Sequence, residues 1–157
     1  LHPGIDYAFN ISGKGYLFYS ENFNLKDDNK ARSVNKDFEL TPVKKGNTLV
    51  LNNIFFDFNS SNLKPASLTE LNKLVEFLSN NKDIRAQISG HTDNIGNEEY
   101  NFQLSTDRAK AVFDFLIEKG INPLQIEYKG FGSLQPIGIN ETESGRATNR
   151  RTEVLIL

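Results

Sequence analysis

The sequence predicts an α+β fold of order βαβαββ, a mixed sheet with two main helices packed on it, preceded by a small β segment. Three observations carry this reading. Residues 68–78 and 98–119 repeat their apolar side chains at helical spacing. Short alternating runs at 84–88, 126–128 and 152–157 separate and follow those stretches. An earlier pair of apolar runs, at 5–11 and 16–19, is set apart by a polar stretch rich in Asn, Asp and Lys.

The small β segment comes first. Ile5, Tyr7, Phe9 and Ile11 alternate with smaller or polar residues, which is the period of a strand. Residues 12–15 (Ser-Gly-Lys-Gly) are a turn, and 16–19 (Tyr-Leu-Phe-Tyr) read as the return strand of a hairpin. Residues 20–37 read as a loop or irregular extension, with Phe23, Leu25 and Val34 as its large apolar anchors. An isolated hairpin is marginal in water. It therefore docks on the second segment, or it is the end of an upstream β domain. The division expected is 1–47 and 48–157.

In the second segment, 49–51 and 54–58 make a strand with Asn52 and Asn53 as an irregularity. Leu68, Leu71, Leu74, Val75 and Leu78 then occupy an arc of about 120° on a helix wheel. Ser67 and Glu70 have the spacing of a capping box. Ile84, Ala86 and Ile88 alternate as a second strand. The next helix has Phe102, Ala109, Val112, Phe113 and Leu116 on its core face, and Gly120 and Pro123 stop it. A strand at 126–128, a short helix at 142–146 and a final strand complete the order. The first crossovers are expected to be right-handed.

The totals exclude several classes. At 157 residues the chain holds one domain of ordinary size and a smaller unit. It is 38% hydrophobic and 24% charged, as folded chains are, and a net charge of −2 gives no strong field for nucleic acid. Cysteine is absent, so disulfides and thiolate metal sites are excluded. No apolar run approaches the roughly 18 residues of a membrane span. Methionine is absent and no secretory signal opens the chain. The expectation is an excised part of a longer protein, with any export signal or lipid anchor upstream.

Candidate chemistry gathers where residues 89–96 leave a strand and enter a helix. Such a junction presents free backbone N–H groups to anions. Asp93 has two readings there: a cap for the turn, or a carboxylate offered to a cationic ligand group. On the following helix Asn101, Leu104 and Arg108 lie within about 60° of one another, on a flank roughly 100° from the core face. Arg108 taken alone is a solvated surface arginine; beside the strand exit it becomes a partner for an anion. Asp93 and Arg108 together match a ligand that carries an ammonium and a carboxylate on one carbon. Arg150, before the last strand, supports either this site or a sheet edge. His91, at the strand end, reads as a structural hydrogen-bonding residue.

These residues also resemble a known family. Residues 54–59 (Ile-Phe-Phe-Asp-Phe-Asn), 90–93 (Gly-His-Thr-Asp), 100–109 with Tyr100, Asn101, Leu104, Ser105, Arg108 and Ala109, 129–132 (Lys-Gly-Phe-Gly) and 145–151 are similar to the C-terminal domain of the OmpA, Pal and MotB proteins. They occur in the family's order over nearly all of 48–157. The resemblance implies a non-enzymatic domain without cofactor or metal that binds the diaminopimelate residue of the peptidoglycan stem peptide. It implies a periplasmic place beside the outer membrane of a Gram-negative envelope, with outer-membrane or periplasmic proteins as partners. Carried over residue by residue, it assigns the diaminopimelate end to Asp93 and Arg108. Phe58, Asn59 and Ser60 line the pocket, with Thr92, Asn94, Asn101 and Leu104 around it and Arg150 in support. Many relatives have Asp where this chain has Asn59, which removes one negative charge from that loop. Residues 15–20 and 52–57 also resemble large Bacteroidetes envelope proteins of this family, where a carboxypeptidase-regulatory-like β-sandwich precedes the OmpA-like domain. The hairpin would then be the tail of such a unit.

Two other functions compete with this one. A wall hydrolase would use Asp93 and a nearby carboxylate as acid and base. The chain's two histidines, His2 and His91, form no metal-ligand pair, and no nucleophile elbow is present. A protein–protein adaptor without wall binding is the other alternative.

Overall fold

The computed structural model describes residues 6–24 and 37–157. Ile5 and residues 25–36, part of the predicted first strand and loop, lie outside the described residues. β1 (Asp6–Ile11) and β2 (Tyr19–Asn24) pair antiparallel in a two-stranded sheet. The return strand thus begins where the sequence reading ends it, and residues 20–24, read as loop, are strand. Tyr16 makes only an isolated bridge to Pro42. Leu17 and Phe18 leave the ladder because they join the main hydrophobic core, at 2% and 4% exposure. Phe18 meets the Phe77 ring edge-on at 6.2 Å. Burial of such side chains is worth about 1.5–3 kcal/mol each.

The remaining elements are β3 (Thr48–Leu51), α1 (Leu68–Asn80), β4 (Ala86–Gly90), α2 (Glu98–Glu118), β5 (Ile126–Gly130), α3 (Glu143–Asn149) and β6 (Thr152–Ile156). The four strands lie in the spatial order β3-β6-β4-β5. β6 is antiparallel to both β3 and β4, and β4 is parallel to β5 across the α2 crossover. The sheet is mixed, as the order of elements implies.

The predicted strand at 54–58 does not form. The chain turns at Asn52 and Asn53, and only Phe56 bridges, to Leu63. Both asparagine amides are drawn to the hairpin: Asn52 donates to the Ser20 carbonyl at 2.9 Å and Asn53 to the Ser20 hydroxyl at 2.6 Å. The capping box does not form either. Ser67 accepts from the Phe55 N–H at 2.8 Å and donates to the Phe55 carbonyl at 3.0 Å. Glu70 accepts from Ser20 and Asn53 instead. A 3-10 turn at Pro65–Ser67 leads into α1, and Leu68, at 45% exposure, stays outside the buried stripe of Leu71, Leu74, Phe77 and Leu78.

α2 starts on Asn97, whose side chain accepts from the Tyr100 N–H, and Glu98 and Glu99 complement the helix dipole. Its buried face is Asn101, Ser105, Ala109, Val112 and Leu116. Phe102, expected in the core, is 49% exposed. The reason is proximity. A Cβ on Gly90 would lie 2.1 Å from the Ser105 carbonyl oxygen, and one on Gly130 2.2 Å from the Thr106 hydroxyl. The helix rests directly on the ends of β4 and β5, so only small or hydrogen-bonding residues fit beneath its first half. Larger residues return toward its other end, where Phe113 packs against the core.

Candidate functional site

The close approach of α2 to β4 fixes the loop that leaves the strand. Thr92 donates its N–H to the Gly132 carbonyl at 2.9 Å and its hydroxyl to the Asp93 carbonyl at 2.9 Å. Asn101 donates from below to the Ile95 carbonyl at 2.9 Å and to the Asp93 carbonyl at 3.4 Å. Both residues are 5% exposed, so Thr92 and Asn101 serve as the scaffold of the loop. Asn94 is exposed beside them.

Asp93 caps the turn and also pairs with an arginine of the chain itself. Oδ1 accepts from the Ile95 N–H at 3.0 Å, an Asx-type turn. Oδ2 accepts from Arg150 Nη1 at 2.7 Å in a salt bridge. Arg150 therefore belongs to this site. Its other terminal nitrogen, Nη2, donates to Glu143 at 2.7 Å. These two bonds, Asp93 first, raise its pKa further. Glu143 is held below the usual carboxylate range by its bonds from Arg150 and Arg146.

Arg108 sits on the other side of the site. Nε donates to the Ser60 carbonyl at 3.0 Å, and the guanidinium carbon lies 5.0 Å above the Phe56 ring. Its terminal nitrogens hold no partner among the described residues. Burial lowers its pKa and repulsion from Arg150 adds to this, while Tyr100 and Asp93 favour the charged form. An arginine stays charged through such a shift. The result is a half-buried cation with an open bidentate edge, within electrostatic range of Asp93. Tyr100 closes the far end, its hydroxyl 3.5 Å from the Asn59 carbonyl. The loop thus held has Asn59 in the left-handed region, at φ 49°, and Phe58 at 92% exposure. Leu104 lies half-buried on the same flank of α2.

Three members of this cluster, Tyr100, Glu143 and Phe56, escaped the sequence reading of the site. Tyr100, Leu104 and Arg108 are spaced by four, so the same helical flank points to Tyr100. Glu143 and Arg150, seven apart, share a helical face. Phe56 carries no such signal, because its place depends on the failed strand. His91 is buried at 2% and stacks on Phe131 at 5.2 Å. It does not make the expected hydrogen bond: Nε2 lies 3.5 Å from the Glu153 carboxylate, out of good alignment, and Nδ1 is unpaired.

Fold and cluster define a small α+β domain with a group of paired charges beside the exit of β4. Among the described residues no cluster of His, Asp and Glu suits a metal ion. The chain belongs to the OmpA family, whose model matches residues 55–150. It is 43% identical over 104 residues to outer membrane protein A of Bordetella avium, covering 66% of this chain and 53% of that one. It is 41% identical over 103 residues to the peptidoglycan-binding protein ArfA of Mycobacterium bovis, covering 66% and 32%. The chain thus spans about half of the first relative and about a third of the second. The solved peptidoglycan-associated lipoprotein of Burkholderia pseudomallei superposes with a TM-score of 0.61 at 29% identity, over 66% of this chain and 88% of that one.

Proposed function

We propose that this chain binds peptidoglycan non-covalently, without cleaving it, through the diaminopimelate residue of the stem peptide. It thereby anchors an outer-membrane or periplasmic protein to the cell wall. The observation that carries this reading is the open edge of Arg108 beside the Asp93 carboxylate. The ligand carboxylate pairs with the guanidinium, and the ligand ammonium with Asp93. In this reading Phe58, Asn59 and Ser60 line the pocket, with Asn94 and Leu104 around it. Membership of the OmpA family and the names of the relatives support peptidoglycan binding. No described helix is long and apolar enough to cross a membrane.

Incubation with purified sacculi tests the proposal. The expected result is saturable retention with no soluble fragments released. Release of fragments would overturn the proposal in favour of a hydrolase, and absence of retention would overturn it in favour of an adaptor.

A further inference from the structure

The Asp93 carboxylate, the natural receptor for a ligand ammonium, is already covered. Arg150 is strung between Asp93 and Glu143, each at 2.7 Å, with its side chain 40% exposed. Glu143 is itself gripped by Arg146 at 2.8 Å, and Arg146 Nη1 donates to the Asn140 carbonyl at 2.8 Å. Asn149, fully buried, accepts from the Ile137 and Gly138 N–H groups and locks α3 to the preceding loop. The outer end of Arg150 is therefore tethered, and its inner end occupies the site. Arg108, held on the Ser60 carbonyl and over Phe56, lies within electrostatic range of Asp93 and has free terminal nitrogens among the described residues.

We propose that Arg150 is a specificity-determining residue that acts by ion-pair exchange. It covers Asp93 until one ligand end brings an ammonium and a carboxylate together. The incoming carboxylate takes up Arg108 and draws Arg150 from Asp93, and the ammonium takes the vacated position. Charge is balanced throughout, because each salt bridge that opens is replaced. A diamine offers Arg150 no new carboxylate and meets two like charges. A dicarboxylate leaves the Asp93–Arg150 pair closed and gains only Arg108. The exchange rests on the reading above that the site takes a zwitterionic ligand end, and it adds how lone cations are refused.

Three probes that share one carbon spine test it: diaminopimelate, cadaverine, which lacks its carboxylates, and pimelate, which lacks its amines. Calorimetric titration of the parent chain should show diaminopimelate bound at least about tenfold more tightly than either of the others. In Arg150→Gln, cadaverine should gain about tenfold as Asp93 is uncovered, while diaminopimelate weakens. Glu143→Gln removes the outer tether and should move the ratio in the same direction by a smaller factor. Loss of a merely structural contact would weaken all probes alike. An unchanged cadaverine-to-diaminopimelate ratio in folded Arg150→Gln, with the parent binding diaminopimelate, overturns the exchange and leaves the peptidoglycan reading standing. A parent chain that ignores diaminopimelate removes the zwitterion reading and the exchange with it.

Discussion

Ser20 of the hairpin donates its hydroxyl to Glu70 of α1 at 2.5 Å, and the two residues are 2% and 1% exposed. Asn53 donates to the same carboxylate oxygen at 2.6 Å, while Oε1 has no partner. Burial raises the Glu70 pKa, and the bonds from Ser20 and Asn53 offset only part of that rise. A raised pKa means that the folded state holds the proton after the unfolded chain has lost it. Stability is then greatest below the unfolded pKa and declines as pH rises through the gap. The melting temperature should fall from about pH 4 upward until the folded group ionises. Glu70→Gln, which cannot titrate, should flatten that slope. If the Glu70→Gln variant keeps the parent's pH dependence of melting, another group is responsible.

Removal of residues 1–45 tests the docking of the hairpin. It strips Leu17 and Phe18 from the core and leaves Glu70 without Ser20. The truncated chain should unfold at lower denaturant, while every proposed ligand contact, all beyond Asn53, remains. Phe18→Ala alone should cost about 3–5 kcal/mol. Wall binding that disappears from a truncated chain with native circular dichroism would place part of the site in the hairpin.

Gly90→Ala tests the approach of α2 to the sheet. The added methyl would meet the Ser105 carbonyl oxygen at 2.1 Å, and that oxygen is backbone and cannot swing aside. A loss of about 1–3 kcal/mol in urea unfolding is expected, or more if the helix cannot shift. An alanine variant as stable as the parent would mean that α2 does not rest on β4 as described.

Asp93→Ala and Arg108→Ala should each weaken binding of a diaminopimelate peptide by roughly ten- to a hundredfold without unfolding the domain. Arg108→Lys should recover only part, since an ammonium reproduces neither the bidentate edge nor the stacking on Phe56. The double variant should lose less than the sum, because both residues hold one ligand end. Parent-like affinity in both folded single variants would remove the site assignment.

A lysine-containing peptide should bind less tightly than its diaminopimelate counterpart. Lysine lacks the second carboxylate, so Arg108 is left unpaired. Equal affinities in a side-by-side titration would contradict this.

The two long helices and the strands after them were legible because their apolar spacing is set by the face they bury. What lay outside that period was tertiary. Residues 16–18 look like strand, yet the core beside Phe77 claims Leu17 and Phe18. Phe102 has the right spacing for the buried face, but spacing does not give the distance between a helix and a sheet. Ser67 and Glu70 match a cap, and each found a partner far along the chain. The site divides the same way. Strand exit and helical flank brought out Asp93 and Arg108. Arg150, 57 residues beyond Asp93, is joined to it only by the return of β6.

That return also orders events in time. β6 is the last of these strands in sequence and an inner one in space, flanked by β3 and β4. During synthesis β3 and β4 therefore have no common neighbour until residues 152–156 have left the ribosome. β4 and β5 can pair earlier around α2, as a local parallel unit. β3, made first, waits longest with an unpaired edge. Such long-range closure slows folding and leaves strand edges open to other chains meanwhile. A nascent chain halted before β6 is thus a ready client for a chaperone that shields extended segments.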